Sequence, residues 1–323
     1  MRSSLNNADQ ASLLSNLYCD ADLVSDLIAP DEKVLVRERC SGSGINVIDC
    51  HCMDLDVYIN DVGGLDLATK VLTTSSPRIT ADVTVVPREW FDHSPESIEG
   101  DIVGIRLGDI LSEQPRRKWG TLRLSDDVHI DLAALAKPVF QGKRIILFGS
   151  DTDVVIEALW WRRNAIRLFD TIASGHFYAV TGMNFSLFMH ECPLAQLINI
   201  NKSLLFCSEL SKLGIPVVPH VYAVNDHQRS SWVDFLNQHT NIRTVVINTQ
   251  LQRDKYSMRE VEMTVTELLV KTGVSIMLNG RRPEWYAAHP ENGRRVFIAN
   301  QQGLKRRAII EKASLKLELA ANH

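Results

Sequence analysis

The apolar pattern changes its rhythm near Pro138. Upstream, short runs rich in β-branched residues alternate with Gly, Asp and Pro punctuation: KVLVRER (33–39), NVIDCHC (46–52), LDVYIN (55–60), ATKVLTT (68–74) and DVTVV (82–86). That texture predicts strands. DIVGIRLGDIL (101–111) and TLRLSDDVHIDL (121–132) add strand-like runs, with QPRRK (114–118) as a charged loop between them. Helical spacing from about Gln10 to Ile28, stopped before Pro30, predicts an opening helix. Residues 1–140 thus read as an α+β region.

Downstream, in 141–323, strand and helix patterns alternate. RIILFGS (144–150) is a continuous apolar run, as expected of a strand buried on both faces. A helix is predicted over 154–173, a strand over 177–182, and a helix from Pro193 to Leu213 with Gly214 as its C-cap. Strands follow at 215–224, 242–250, 274–280 and 294–300. Between them a helix capped by Ser230 or Ser231 is expected, then one capped by Ser257 with Glu260 completing a capping box. LKRRAIIEKASLKLEL (304–319) reads as a closing helix, whose Ile309, Ile310 and Leu315 pack on this chain or on a second copy. Six strands alternating with helices predict a parallel α/β fold. No Gly-rich phosphate fingerprint follows the first of them, which favours a TIM-like barrel, incomplete or closed by upstream strands. An open doubly wound sheet is the alternative.

Composition narrows the function classes only broadly. The 323 residues are 45% hydrophobic and 23% charged, with a formal net charge of -4, which gives no global footprint for nucleic acid. No stretch reaches the roughly 18 apolar residues of a membrane span, and the N-terminus carries no apolar signal core, so no membrane partner and a cytoplasmic location are expected. Six cysteines without framework spacing suit free thiols in a reducing compartment. Cys40, Cys50, His51 and Cys52, with Cys19 upstream, lack tight zinc-knuckle spacing, so buried thiols rather than a metal site are expected. Ser41-Gly42-Ser43-Gly44 reads as a hairpin connection, not a phosphate loop.

Three segments are more specific: VTGMNFSLF (180–188), CPLAQLININ (192–201) and LGIPVVPHVYAVND (213–226). Through Phe185–Phe188, Pro193–Asn199 and Gly214–Pro219 the chain resembles the bacterial and phage family catalogued as domain of unknown function 4417. The likeness runs roughly from Arg144 to Gly280. It departs at Gly182-Met183-Asn184, where the family carries a Pro-Asp and this chain an Asn. The resemblance implies a phage, mobile-element or antiviral-defence setting.

In parallel α/β folds, ligands sit at the carboxyl ends of the strands. Those ends supply Ser150 and Asp151, Met183 and Asn184, Asn225 and Asp226, Asn248 and Gln250, Asn279 and Arg281, and Asn300 and Gln301. Carboxamides both donate and accept, so this recurrence suits a neutral hydrogen-bonding ligand such as a base or sugar. The plainer account is that Asn caps helices and tolerates tight turns. Asp151 and Asp226, with Asp153 nearby, are candidate nucleophile, base or oxygen ligands, or simply helix-start acids meeting the helix dipole. His220 is a candidate acid–base group or a hydrogen-bonded core residue. No Glu sits at a strand end, which weakens a glycosidase reading.

Between Arg281 and Arg307 lies a local excess of five positive charges, including Arg281, Arg282, Lys305, Arg306 and Arg307, with Trp285 and Tyr286 among them. Phosphate contact with stacking is one use of such a segment, and a solvated basic face is the other. The leading expectation is a barrel protein that acts on or binds a nucleotide, nucleic-acid base or sugar. The second is a non-catalytic scaffold subunit of a defence or nucleic-acid-handling assembly. The sequence names no cofactor and leaves open whether the chain is an enzyme.

Overall fold

The computed structural model describes residues 59–113, 116–118, 121–123, 128–187, 193–250, 252, 254–301 and 304. The expected opening helix, the strands at 33–39 and 46–52, the cysteine cluster, the Ser-Gly segment and the closing helix from Lys305 onward lie outside the described residues.

Eight parallel strands follow chain order around one sheet: β1 (Val83–Val85), β2 (Ile102–Arg106), β5 (Arg144–Phe148), β6 (Ala179–Thr181), β7 (Val217–Val218), β8 (Thr244–Asn248), β9 (Ser275–Asn279) and β10 (Val296–Asn300). β10 pairs with β1 through Val83 and Ala299. The circle is completed between β7 and β8 by a single bridge, His220 to Val246. There the Val221 N–H donates to the Val246 carbonyl at 2.8 Å, and the Val246 N–H to the Pro219 carbonyl at 2.9 Å. The architecture is therefore a TIM-like α/β barrel. β1 and β2 arise before Pro138, so the division at 140/141 does not separate two units: the barrel takes strands from both sides of it.

Helices α1 (Asp153–Arg162), α2 (Leu168–Ser174), α3 (Pro193–Lys212), α4 (Asp226–Gln238) and α5 (Lys255–Lys271) cover the strands from β5 onward. Short 3-10 turns take that place after β1, β2 and β9. Two apolar layers result. Val83, Val85, Ile146, Phe148, Ala179, Val218, Val246, Met277 and Ala299 fill the barrel interior, and a larger cluster lies between sheet and helices. Gly104 is what admits the Phe148 ring, which lies 2.5 Å from where a β-carbon would stand.

Several local expectations are corrected by capping and backbone chemistry. The helix expected over 154–173 is two helices, because Arg167 turns left-handed (φ 48°). Asn225, not Ser230 or Ser231, caps α4 by accepting from the Gln228 N–H. Asp254, not Ser257, caps α5, and Glu260 is drawn to Arg229 on α4 (2.5 Å) instead of closing a capping box. QPRRK and the following run form a small antiparallel hairpin, β3 (Arg116–Lys118) with β4 (Thr121–Arg123). Segment 68–74 is no strand. After a 3-10 turn at Leu67–Thr69 it lies along α3, where the Ser211 hydroxyl accepts from the Thr73 N–H (2.6 Å) and the Ser208 hydroxyl donates to the Val71 carbonyl (2.9 Å). That cover explains why nearly every position of α3 is buried. Gly214 does end α3, at φ +83°.

No helix among the described residues is long and apolar enough to cross a membrane.

Candidate functional site

Side chains alternate across a strand, so the interior cluster fixes which residues face the axis at each level. Continuing from Gly104, Phe148, Ala179, Val218, Val246, Met277 and Ala299, the next inward positions are Arg106, Ser150, Thr181, His220, Asn248, Asn279 and Gln301. The interior is thus apolar below and polar at the carboxyl mouth. Asn279, 2% exposed, spans the barrel: its Nδ2 donates to the Ser150 hydroxyl (3.0 Å), joining β9 to the end of the opposite strand β5.

On one side of that bond is a cavity of about 320 Å³, lined by Val85, Arg106, Gln250, Asn279, Gly280, Arg281, Asn300 and Gln301. Arg106 is held from behind by Asp109, its Nε donating to Oδ2 (2.7 Å) and its Nη2 to Oδ1 (2.9 Å). Burial raises the Asp109 carboxyl above its ordinary value, with Arg106 opposing that shift. Asp151 stands beside this pair, its carboxylate packed where a β-carbon on Gly108 would fall. The Arg281 side chain has no hydrogen-bond or ion-pair partner among the described residues, while its backbone carbonyl accepts from the Thr249 hydroxyl (2.7 Å).

On the other side, a hydrogen-bonded chain runs over β6 and β7. The Tyr222 hydroxyl donates to Asn184 Oδ1 and lies 2.9 Å from His220 Nδ1. With its one proton committed to Asn184, the hydroxyl accepts from His220 Nδ1–H, which leaves Nε2 as a bare acceptor. Nε2 is buried and has no partner among the described residues. Burial lowers the His220 pKa to about 3 and raises that of Tyr222, so the pair is neutral at ordinary pH. Next to it the Ser186 hydroxyl donates to Asp153 (2.6 Å), whose carboxyl burial pushes up. Asn199 of α3 ties this corner by donating to the Ser186 carbonyl (2.8 Å).

The structure therefore divides the sequence-derived candidates. Asn279, Gln250 and Arg281 line the cavity, with Asp151 behind it and His220 and Asn184 across the mouth. Asn300 borders the cavity, but it follows inward-facing Ala299 and so points away from the axis. Asn225 is spent on its helix cap, and Asn248 accepts from the Gln250 N–H (2.8 Å), holding its own turn. Asp226, 90% exposed, is bonded to Arg229 in the helix layer and is not part of the mouth. The carboxamide ring is thus partly a set of turn-holders.

The basic segment separates too. Arg282 pairs with Asp82 (3.4 Å) and lies over the Tyr286 ring. Arg295 donates to the carbonyls of Leu269, Thr272 and Val274, closing the C-terminus of α5. Lys305, Arg306 and Arg307 lie outside the described residues. Among the described residues no group of three or more His, Cys, Asp or Glu is placed to hold a metal ion. Arg106, Asp109 and Tyr222 join the site although none of them is among the strand-end candidates. Arg-x-x-Asp at the end of a strand-like run was the available signal for the first two.

No family model matches the chain, and no curated protein matches it in sequence.

Proposed function

We propose that the carboxyl mouth of the barrel binds a small polar ligand of the nucleotide, nucleic-acid base or sugar class. The observation that carries this reading is the 320 Å³ cavity itself, bordered by carboxamides and two arginines and by no acid. Small-molecule sites occupy about 300–1,000 Å³, so the volume suits a ligand the size of a nucleoside or phosphosugar. Gln250, Asn279 and Gln301 offer paired donors and acceptors for a base edge or sugar hydroxyls. A phage or mobile-element setting belongs to the proposal through the motif resemblance alone. Calorimetric titration with nucleosides, nucleotides and sugar phosphates tests it. Binding should weaken in Gln250→Ala and Gln301→Ala with little change in melting temperature, since neither side chain is buried. A wild-type protein that binds no member of the panel would refute the reading.

The scaffold reading has its own observation. Tyr256, Met263 and Val270 are exposed at seven-residue spacing along α5, an apolar stripe beside Arg259, Glu262 and Lys271. A complex that survives purification and is lost on Val270→Glu would favour it.

A further inference from the structure

We propose that the cavity seats a phosphate group, so that the ligand is a phosphorylated sugar or a nucleotide and not a free base or sugar. This rests on the ligand-binding reading above and narrows it. Two arginines, Arg106 and Arg281, line one cavity whose lining contains no acid. Arg106 spends only its Nε and Nη2 edge on Asp109, which leaves three of its five donors available and fixes the plane of the fork. Arg281 carries a charge that no described residue neutralises, directly after β9.

The backbone favours the same occupant. β9 and β10 are the seventh and eighth strands around the barrel, and Gly280, Arg281 and Gln301 belong to the loops that leave them. Those are loops from which barrels of this type frequently build a phosphate seat. Gly280 stands at φ +123°, a conformation open to glycine, and a β-carbon there would fall 2.5 Å from the Gln250 side chain. Glycine thus keeps the Gln250 and Arg281 sides of the cavity close together. With the phosphate between the two arginines, the rest of the ligand lies against Gln250, Asn279 and Gln301. Asp109 is a positioning residue in this arrangement, because it acts through Arg106.

Three matched pairs test the inference by calorimetry: uridine and its monophosphate, adenosine and its monophosphate, and ribose and its phosphate. The phosphorylated member of at least one pair should bind about ten- to a hundredfold more tightly, the increment expected of charge-assisted hydrogen bonds. In Arg281→Gln, whose side chain supports no described contact, that advantage should shrink by about tenfold or more. Equal binding within every pair would overturn the phosphate seat and leave the ligand-binding reading standing. So would an advantage that persists undiminished in Arg281→Gln. Binding of no member would overturn both.

Discussion

His220 makes the sharpest stability prediction. It is 1% exposed, bridges β7 to β8 where the barrel closes, and bonds only to the Tyr222 hydroxyl among the described residues. Burial lowers its pKa from 6.5 to about 3. The unfolded chain therefore takes up a proton near its ordinary pKa while the folded chain does not, so stability falls as pH drops below about 6.5 and goes on falling to about 3. The loss is about 1.4 kcal/mol per pH unit in that window, and between about pH 7 and pH 5 it amounts to about 2 kcal/mol. Asp153, whose carboxyl burial raises, acts electrostatically on Tyr222 and is common to both proteins compared below. Urea unfolding of the wild type and of His220→Gln at several pH values reads the effect. The substitution alters absolute stability, but the quantity of interest is the slope, and the variant's should be shallower by about one proton. Parallel stability curves between about pH 7 and pH 5 would refute a buried neutral His220.

Two further predictions concern packing. Lys202, 1% exposed, has its Nζ 2.9 and 3.1 Å from the two Glu157 carboxylate oxygens and 4.9 Å from the centre of the Phe185 ring. Glu157→Leu alone should cost about 3–5 kcal/mol in urea unfolding by removing the carboxylate bonded to the buried ammonium, and adding Lys202→Met should recover most of it. A double variant no more stable than Glu157→Leu would contradict that account. Gly149→Ala would set a β-carbon 2.5 Å from the Gly182 carbonyl oxygen, where backbone on a neighbouring strand must move. It should cost about 1–3 kcal/mol, visible as a lower melting temperature, and an unchanged one would count against the β5–β6 geometry.

The barrel was largely legible because its six later strands are continuous apolar runs, the signature of strands buried on both faces. β1 and β2 were read as strand-like, but their membership in the same sheet depends on register between distant segments, which local pattern does not carry. Segment 68–74 misled for the same reason. Its β-branched residues pack on α3, so the tertiary contact and not local propensity decides its form. At the mouth, strand-end positions were legible but side-chain direction was not. Asn225 and Asn279 look alike in sequence, yet one caps a helix and the other bonds across the barrel. The sequence leaves His220 as an inward-pointing acid–base group or a hydrogen-bonded core residue. Its neutral state follows from burial, and the Tyr222 hydroxyl two residues on supplies its hydrogen-bond partner, neither of which local pattern carries.

The central claim is that the mouth between Arg106 and Arg281 seats the phosphate of a small ligand. Native mass spectrometry of the gently purified protein, alone and with millimolar nucleoside monophosphates or sugar phosphates, tests it most directly when run beside Arg281→Gln. The account predicts a non-covalent adduct of a phosphorylated small molecule on the wild type that is diminished on the variant. A wild type that carries and takes up none, or an adduct equally populated on both proteins, would contradict it.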